Sequence, residues 1–133
     1  MIKIRALVFI FFLVCVFLHG LDVSSGGPLS KSQASMDVKH YFLDLRVDPH
    51  KKSISGTSTI QFILKEDTPV LEIDLYRNFT ISGVSIDGTS LDFKHQGNKV
   101  FIESLDFELF VLHKLEIKYG GRPPVAKRPP WDG

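Results

Sequence analysis

The chain has 133 residues, 44% of them hydrophobic and 23% charged, with a net charge of +1. That is ordinary globular composition with room for one domain. The near-neutral balance and scattered basic residues exclude the strong field that draws nucleic acid or acidic substrates.

Met1-Ile2-Lys3-Ile4-Arg5 is a short basic start, and Ala6 to Leu18 is an unbroken apolar run of 13 residues. His19, Gly20 and then Ser24-Ser25-Gly26-Gly27 follow. This is the layout of a secretory signal peptide, expected over residues 1–20. A bilayer span needs about 20 apolar residues, so an uncleaved anchor is the second choice and a buried helix the third. No clean A-x-A site is present, though Gly20 or Ser25 could precede the cut. Cys15, the only cysteine, lies inside the apolar run, so the mature chain is expected to lack a disulfide. Val14 stands where a lipoprotein would carry a small residue, which argues against lipidation. The protein is therefore expected to be exported: periplasmic, secreted or at the cell surface. Membrane contact is expected only through residues 1–20, if they are retained.

Residues 21–37 are rich in Ser and Gly, include Pro28 and show no periodicity, which predicts a flexible linker. Val38 to Asp48 then alternates, with Tyr41, Leu43, Leu45 and Val47 on one face and His40, Phe42, Asp44 and Arg46 on the other. Period two predicts a half-buried strand. Asp48-Pro49-His50-Lys51-Lys52 is a turn. Ser53 to Leu64 is a second strand that should pair with the first in a long antiparallel hairpin. Gly56 inside it predicts a bulge or a close neighbour.

A polar turn at Lys65 to Pro69 leads to a third strand, Val70 to Leu75, with Leu71, Ile73 and Leu75 inward. Phe79 to Ile86 is a fourth strand, whose alternation changes parity at Gly83, so a bulge is expected there. Asp87-Gly88 signals a tight turn. Leu91 and Phe93 mark a short fifth strand and Lys99 to Glu103 a sixth. Leu105 to Leu112 is apolar but without pattern. Leu115, Ile117 and Tyr119 alternate in the last strand. About seven short strands, regular turn signals and no amphipathic helix predict an all-β chain folded as an antiparallel β-sandwich.

Gly120 and Gly121 end the last strand. Two Pro-Pro pairs follow, Pro123-Pro124 and Pro129-Pro130, then Trp131-Asp132-Gly133. Proline has no N–H for a sheet ladder and favours extended backbone, so residues 122–133 read as a connector.

Signs of chemistry are scarce. The sequence holds no G-x-S-x-G, no phosphate-binding glycine loop, no cysteine pair and no H-E-x-x-H. His40, His50, His95 and His113 have no metal-ligand spacing and are expected at the surface. Asp44 with Asp48, and Glu72 with Asp74, are expected to keep strand faces soluble rather than to act as an acid–base pair. Asn78-Phe79-Thr80 is a glycosylation sequon, relevant only after eukaryotic secretion. The residues assign no catalytic, metal-binding or substrate-binding position to this chain.

Five segments nonetheless carry a family resemblance. Val38-Lys39-His40-Tyr41-Phe42-Leu43-Asp44-Leu45-Arg46-Val47-Asp48 resembles the first strand of the zinc aminopeptidases of the aminopeptidase N family, which are gluzincin metallopeptidases. Ile54 to Phe62, Leu71-Glu72-Ile73-Asp74-Leu75 and Leu115-Glu116-Ile117-Lys118-Tyr119-Gly120-Gly121 resemble later strands in that family's order. Pro129-Pro130-Trp131-Asp132-Gly133 is similar to a P-P-W-D-G-G-F segment of a bacterial branch.

The resemblance implies a saddle-like N-terminal β-domain, incomplete here over residues 38–121, with 122–133 as a truncated connector. It implies a missing C-terminal catalytic domain as partner, zinc as cofactor in that domain, and peptide substrates for the full-length enzyme. It carries no catalytic residue onto this sequence, and this chain alone is not expected to be an enzyme. Pro129, Pro130, Trp131 and Asp132 are the expected inter-domain contact. The alternative is a free-standing secreted β-sandwich that binds a protein or a glycan.

Overall fold

The computed structural model describes residues 28–103 and 107–125. The expected signal peptide and the contact residues Pro129, Pro130, Trp131 and Asp132 lie outside them.

The described chain is antiparallel throughout, in two sheets, as the alternation predicts. Its strands are β1 (Met36–Asp48), β2 (Ser53–Leu64), β3 (Val70–Asp74), β4 (Phe79–Ile86), β5 (Thr89–Ser90), β6 (Phe93–Gln96), β7 (Lys99–Glu103) and β8 (Leu112–Gly121). The larger sheet has the order β1-β2-β8-β4-β5 and the smaller the order β3-β7-β6. The last strand, β8, thus enters between β2 and β4.

The expected long antiparallel hairpin of β1 and β2 forms, with Tyr41 opposite Ile60 and Val47 opposite Ile54 and a register shift between Val38 and His40. The Asp48 side chain closes its turn by accepting the Lys51 N–H at 2.9 Å. The close neighbour expected at Gly56 is Asp44: a Cβ added to Gly56 would sit 1.9 Å from the Asp44 carbonyl oxygen. Gly121 plays a similar part at the far end of β8, where an added Cβ would lie 2.4 Å from the Asn78 carbonyl. The predicted bulge in β4 is present, with the register against β8 shifting between Ile81 and Gly83.

The core lies between the sheets. Ile60, Phe62 and Leu64 of β2, Leu115 and Ile117 of β8, and Val84 and Ile86 of β4 face Leu71 of β3 and Val100 and Ile102 of β7. Each such side chain contributes about 1.5–3 kcal/mol by leaving water.

Three features depart from the sequence reading. The stretch expected as a linker contains a helical turn, α1 (Lys31–Ser35), and the first two residues of β1. Ser30 caps the turn: its hydroxyl accepts the Gln33 N–H at 3.2 Å, and the Gln33 side chain accepts the Ser30 N–H at 3.1 Å. This reciprocal pair satisfies two otherwise orphaned donors.

The expected fifth strand is divided. Thr89–Ser90 stays with the large sheet, the chain crosses at Leu91-Asp92, and Phe93–Gln96 joins the small one. That makes eight strands among the described residues. Finally, beyond Lys39 β1 is exposed on both faces rather than half-buried. The buried side chains of the large sheet run from Ile60 to Leu64 on β2, Val84 and Ile86 on β4, and Leu115 and Ile117 on β8.

Candidate functional site

Among the described residues, part of the large sheet is left without a second layer. Tyr41, Leu43, Leu45 and Val47 face the same side as the core residues Ile60 and Ile117, because the register places them opposite Ile60, Ser58, Gly56 and Ile54. Yet Tyr41 is 58% exposed, Leu43 56% and Val47 64%. The face has the composition of a core without the covering layer. An exposed apolar stripe of this kind is uncommon on soluble monomers. Among the described residues β1 is also an edge strand, so the peptide groups on its outer side have no ladder partner there.

Where the small sheet stops, a cleft of about 390 Å³ opens between the layers. Tyr41, Ser58, Ile60, Ile73, Leu75 and Tyr119 line it, and Glu72, Asp74 and Gln33 stand at its rim. The rim charges are already engaged. Lys99 bonds the Glu72 carboxylate and lies 3.7 Å from Asp74, and the Gln33 amide donates to Asp74 at 2.9 Å. Lys99 holds the Glu72 carboxyl below the usual glutamate range, against the opposing push of partial burial, and Glu72 in turn raises the Lys99 ammonium. The Glu72 and Asp74 carboxylates are thus in the same ion cluster, not an acid–base pair poised for proton transfer.

The histidines separate. His40 and His50 are exposed, as expected. His95 is half-buried, with Nε2 3.0 Å from the Leu75 carbonyl. His113 corrects the surface reading, being buried at 5% exposure. Its Nδ1 lies 2.7 Å from Asp87 Oδ2 and its Nε2 lies 2.8 Å from the Glu108 carbonyl. The Phe62 and Phe107 rings pack on it with centroids 5.6 and 5.5 Å away. The signal was in the register, since His113 alternates in phase with Leu115 and Ile117 on the buried side of β8.

A carboxylate-held imidazole is also the arrangement of a general base. Here the second nitrogen faces a backbone carbonyl, so no lone pair is free to take a proton from a substrate. Asp44 and Asp48 lie on β1, where Asp48 caps the hairpin turn. Asn78 is exposed in the turn before β4. Among the described residues, no three His, Cys, Asp or Glu side chains come together to hold a metal ion.

The architecture defines a class: a two-sheet antiparallel β-domain with one apolar face left open. Solved structures of M1 zinc metallopeptidases contain the same fold. A variant of the enzyme from Deinococcus radiodurans, crystallised with a Tyr-Ser-Ala substrate, matches with a TM-score of 0.65 at 24% identity, over 75% of this chain and 24% of its own. A two-domain M1 zinc metallopeptidase bound to L-arginine matches with a TM-score of 0.63 at 24% identity, over 74% of this chain and 23% of its own. Native leukotriene A4 hydrolase from Saccharomyces cerevisiae matches with a TM-score of 0.58 at 24% identity, over 73% of this chain and 17% of its own. The chain therefore spans about a quarter or less of the length of these proteins. No protein-family model matches the sequence, and no curated protein matches it.

Proposed function

We propose that this chain is the N-terminal, non-catalytic β-domain of an exported zinc aminopeptidase, a wall against which the catalytic part of the enzyme packs. The observation that carries this reading is the fold shared with M1 zinc metallopeptidases. The order of the resembling strands and the open apolar face of β1 support it. A sheet face bearing Tyr41, Leu43, Leu45 and Val47 is what a docking partner would leave behind when absent. Export rests on the basic start and apolar run of residues 1–20.

The described residues do not fit a zinc site, since no ligand cluster is present among them. The metal and the peptide-cleaving groups belong, on this reading, to the rest of the enzyme. The domain's own work is mechanical: it covers apolar surface and forms part of the rim of a substrate cleft.

The test is direct. The purified chain, incubated with zinc and offered aminoacyl-arylamides, should neither retain the metal stoichiometrically nor release arylamine. Stoichiometric zinc or turnover above the buffer rate would overturn the non-catalytic role.

A further inference from the structure

We propose that His113 is a latch worked by pH: as an imidazolium it ties the loop 107–111 to the turn between β4 and β5, and on losing a proton it loosens that loop around Phe110.

The geometry requires the charged ring. Both nitrogens of His113 face oxygen acceptors, Asp87 Oδ2 at 2.7 Å and the Glu108 carbonyl at 2.8 Å. A neutral imidazole carries one N–H and can serve only one of them. The carboxylate keeps the Nδ1 proton, so the proton that leaves to solvent is the one on Nε2. Its lone pair then points at the Glu108 carbonyl, and two acceptors face each other in a buried place.

Each tied segment has further anchors among the described residues, and in the loop the Phe107 and Leu109 side chains pack against the core. Asp87 is fixed to β8, because its Oδ1 accepts the Lys114 N–H at 2.8 Å and its own N–H donates to the Lys114 carbonyl at 2.9 Å. The loop is pinned by the Glu108 bond, by the Phe107 ring on the imidazole, and by the Phe110 N–H donating to the Leu64 carbonyl at 2.9 Å. Phe110 pays for this position with a φ of +61°, a left-handed conformation that bulky residues resist. Loss of the Glu108 bond therefore loosens the loop at Phe110, where the backbone already carries strain, while Phe107 and Leu109 stay on the core.

The charges around the ring are few. Asp87 faces it from the turn and Glu108 from the loop, while β2 presents only the uncharged Phe62 ring. Lys114, beside it on β8, directs its amine to Glu116 at 3.5 Å. Burial alone would push the imidazole down, but the Asp87 and Glu108 acceptors outweigh it, and the net direction is up from the ordinary histidine value. A folded-state value above the unfolded one means that the contribution is complete below the unfolded value and is lost as pH rises through the folded one.

The experiment uses the whole chain with nitrogen-15-labelled histidine. Long-range proton–nitrogen spectra should show both ring nitrogens of His113 protonated at neutral pH, and Nε2 losing its proton at a midpoint above that of a free histidine. Hydrogen exchange of the Phe110 amide, corrected for its intrinsic pH dependence, should accelerate with the same midpoint. Its protection should fall by about tenfold for each pH unit separating the folded and unfolded values. Asp87→Asn should move both midpoints down together. A neutral single-tautomer ring at neutral pH, or Phe110 protection that ignores the ring's titration, would overturn the latch.

Discussion

The carbonyl oxygen of Asp44 lies where a Cβ of residue 56 would be, 1.9 Å from its ideal position, and the glycine at 56 is what lets β1 and β2 close on each other. The obstructing atom belongs to backbone, so no side-chain rotation can relieve the clash. Gly56→Ala should destabilise the chain by about 2–3 kcal/mol, as for overpacked interiors. Urea unfolding followed by circular dichroism measures this. A midpoint close to that of the parent chain would mean that β1 moves freely over β2.

The open face and the core should respond differently to truncation. Leu115→Ala removes a fully buried side chain from the central strand and should cost about 2–5 kcal/mol. Leu43→Ser and Val47→Ser touch exposed positions and should each change stability by no more than about 0.5 kcal/mol. Together the two serine substitutions should reduce the binding of a hydrophobic dye by the isolated chain. Equal costs at positions 43 and 115 would show that the face is covered after all.

Much of this fold could be read from residue order. Period-two alternation located β1, β2, β3, β4, β7 and β8, and the change of parity at Gly83 located the bulge. The pairing of distant strands could not be read, because alternation does not say that β8 enters between β2 and β4. Nor does it say how far along β1 the second layer reaches, so Leu43 and Val47 look like core residues in sequence and are exposed in the fold. α1 was legible in principle: Ser30-Lys31-Ser32-Gln33 has the spacing of a capping box. The Ser and Gly content around it masked that signal. At His113 residue type and register point opposite ways, and register prevails.

The capping pair at α1 gives a second test of local structure. Ser30→Ala removes the hydroxyl that accepts the Gln33 N–H and should cost about 1 kcal/mol. Ser30→Gly should cost only a few tenths of that unit, since glycine is tolerated at the cap. Thermal unfolding of the two variants beside the parent chain checks the ranking.

Acid should weaken the contact at the cleft rim. Glu72 is held below its ordinary value by Lys99, so its contribution is present above the unfolded-state value and lost as pH falls through the folded-state value. Lys99→Met removes the cation, and the Glu72 carboxyl should then titrate at higher pH. Carbon-13 carboxylate shifts across an acid titration report this directly. An unchanged Glu72 midpoint would show that the Lys99 contact does not persist in solution.

The natural gene tests most directly the proposal that this β-domain is part of a zinc aminopeptidase. The nucleotide sequence downstream of the codon for Gly133 should continue in frame through Gly-Phe and on to an H-E-x-x-H motif. A stop codon directly after Gly133, with a product that folds cooperatively as a monomer, would contradict the account.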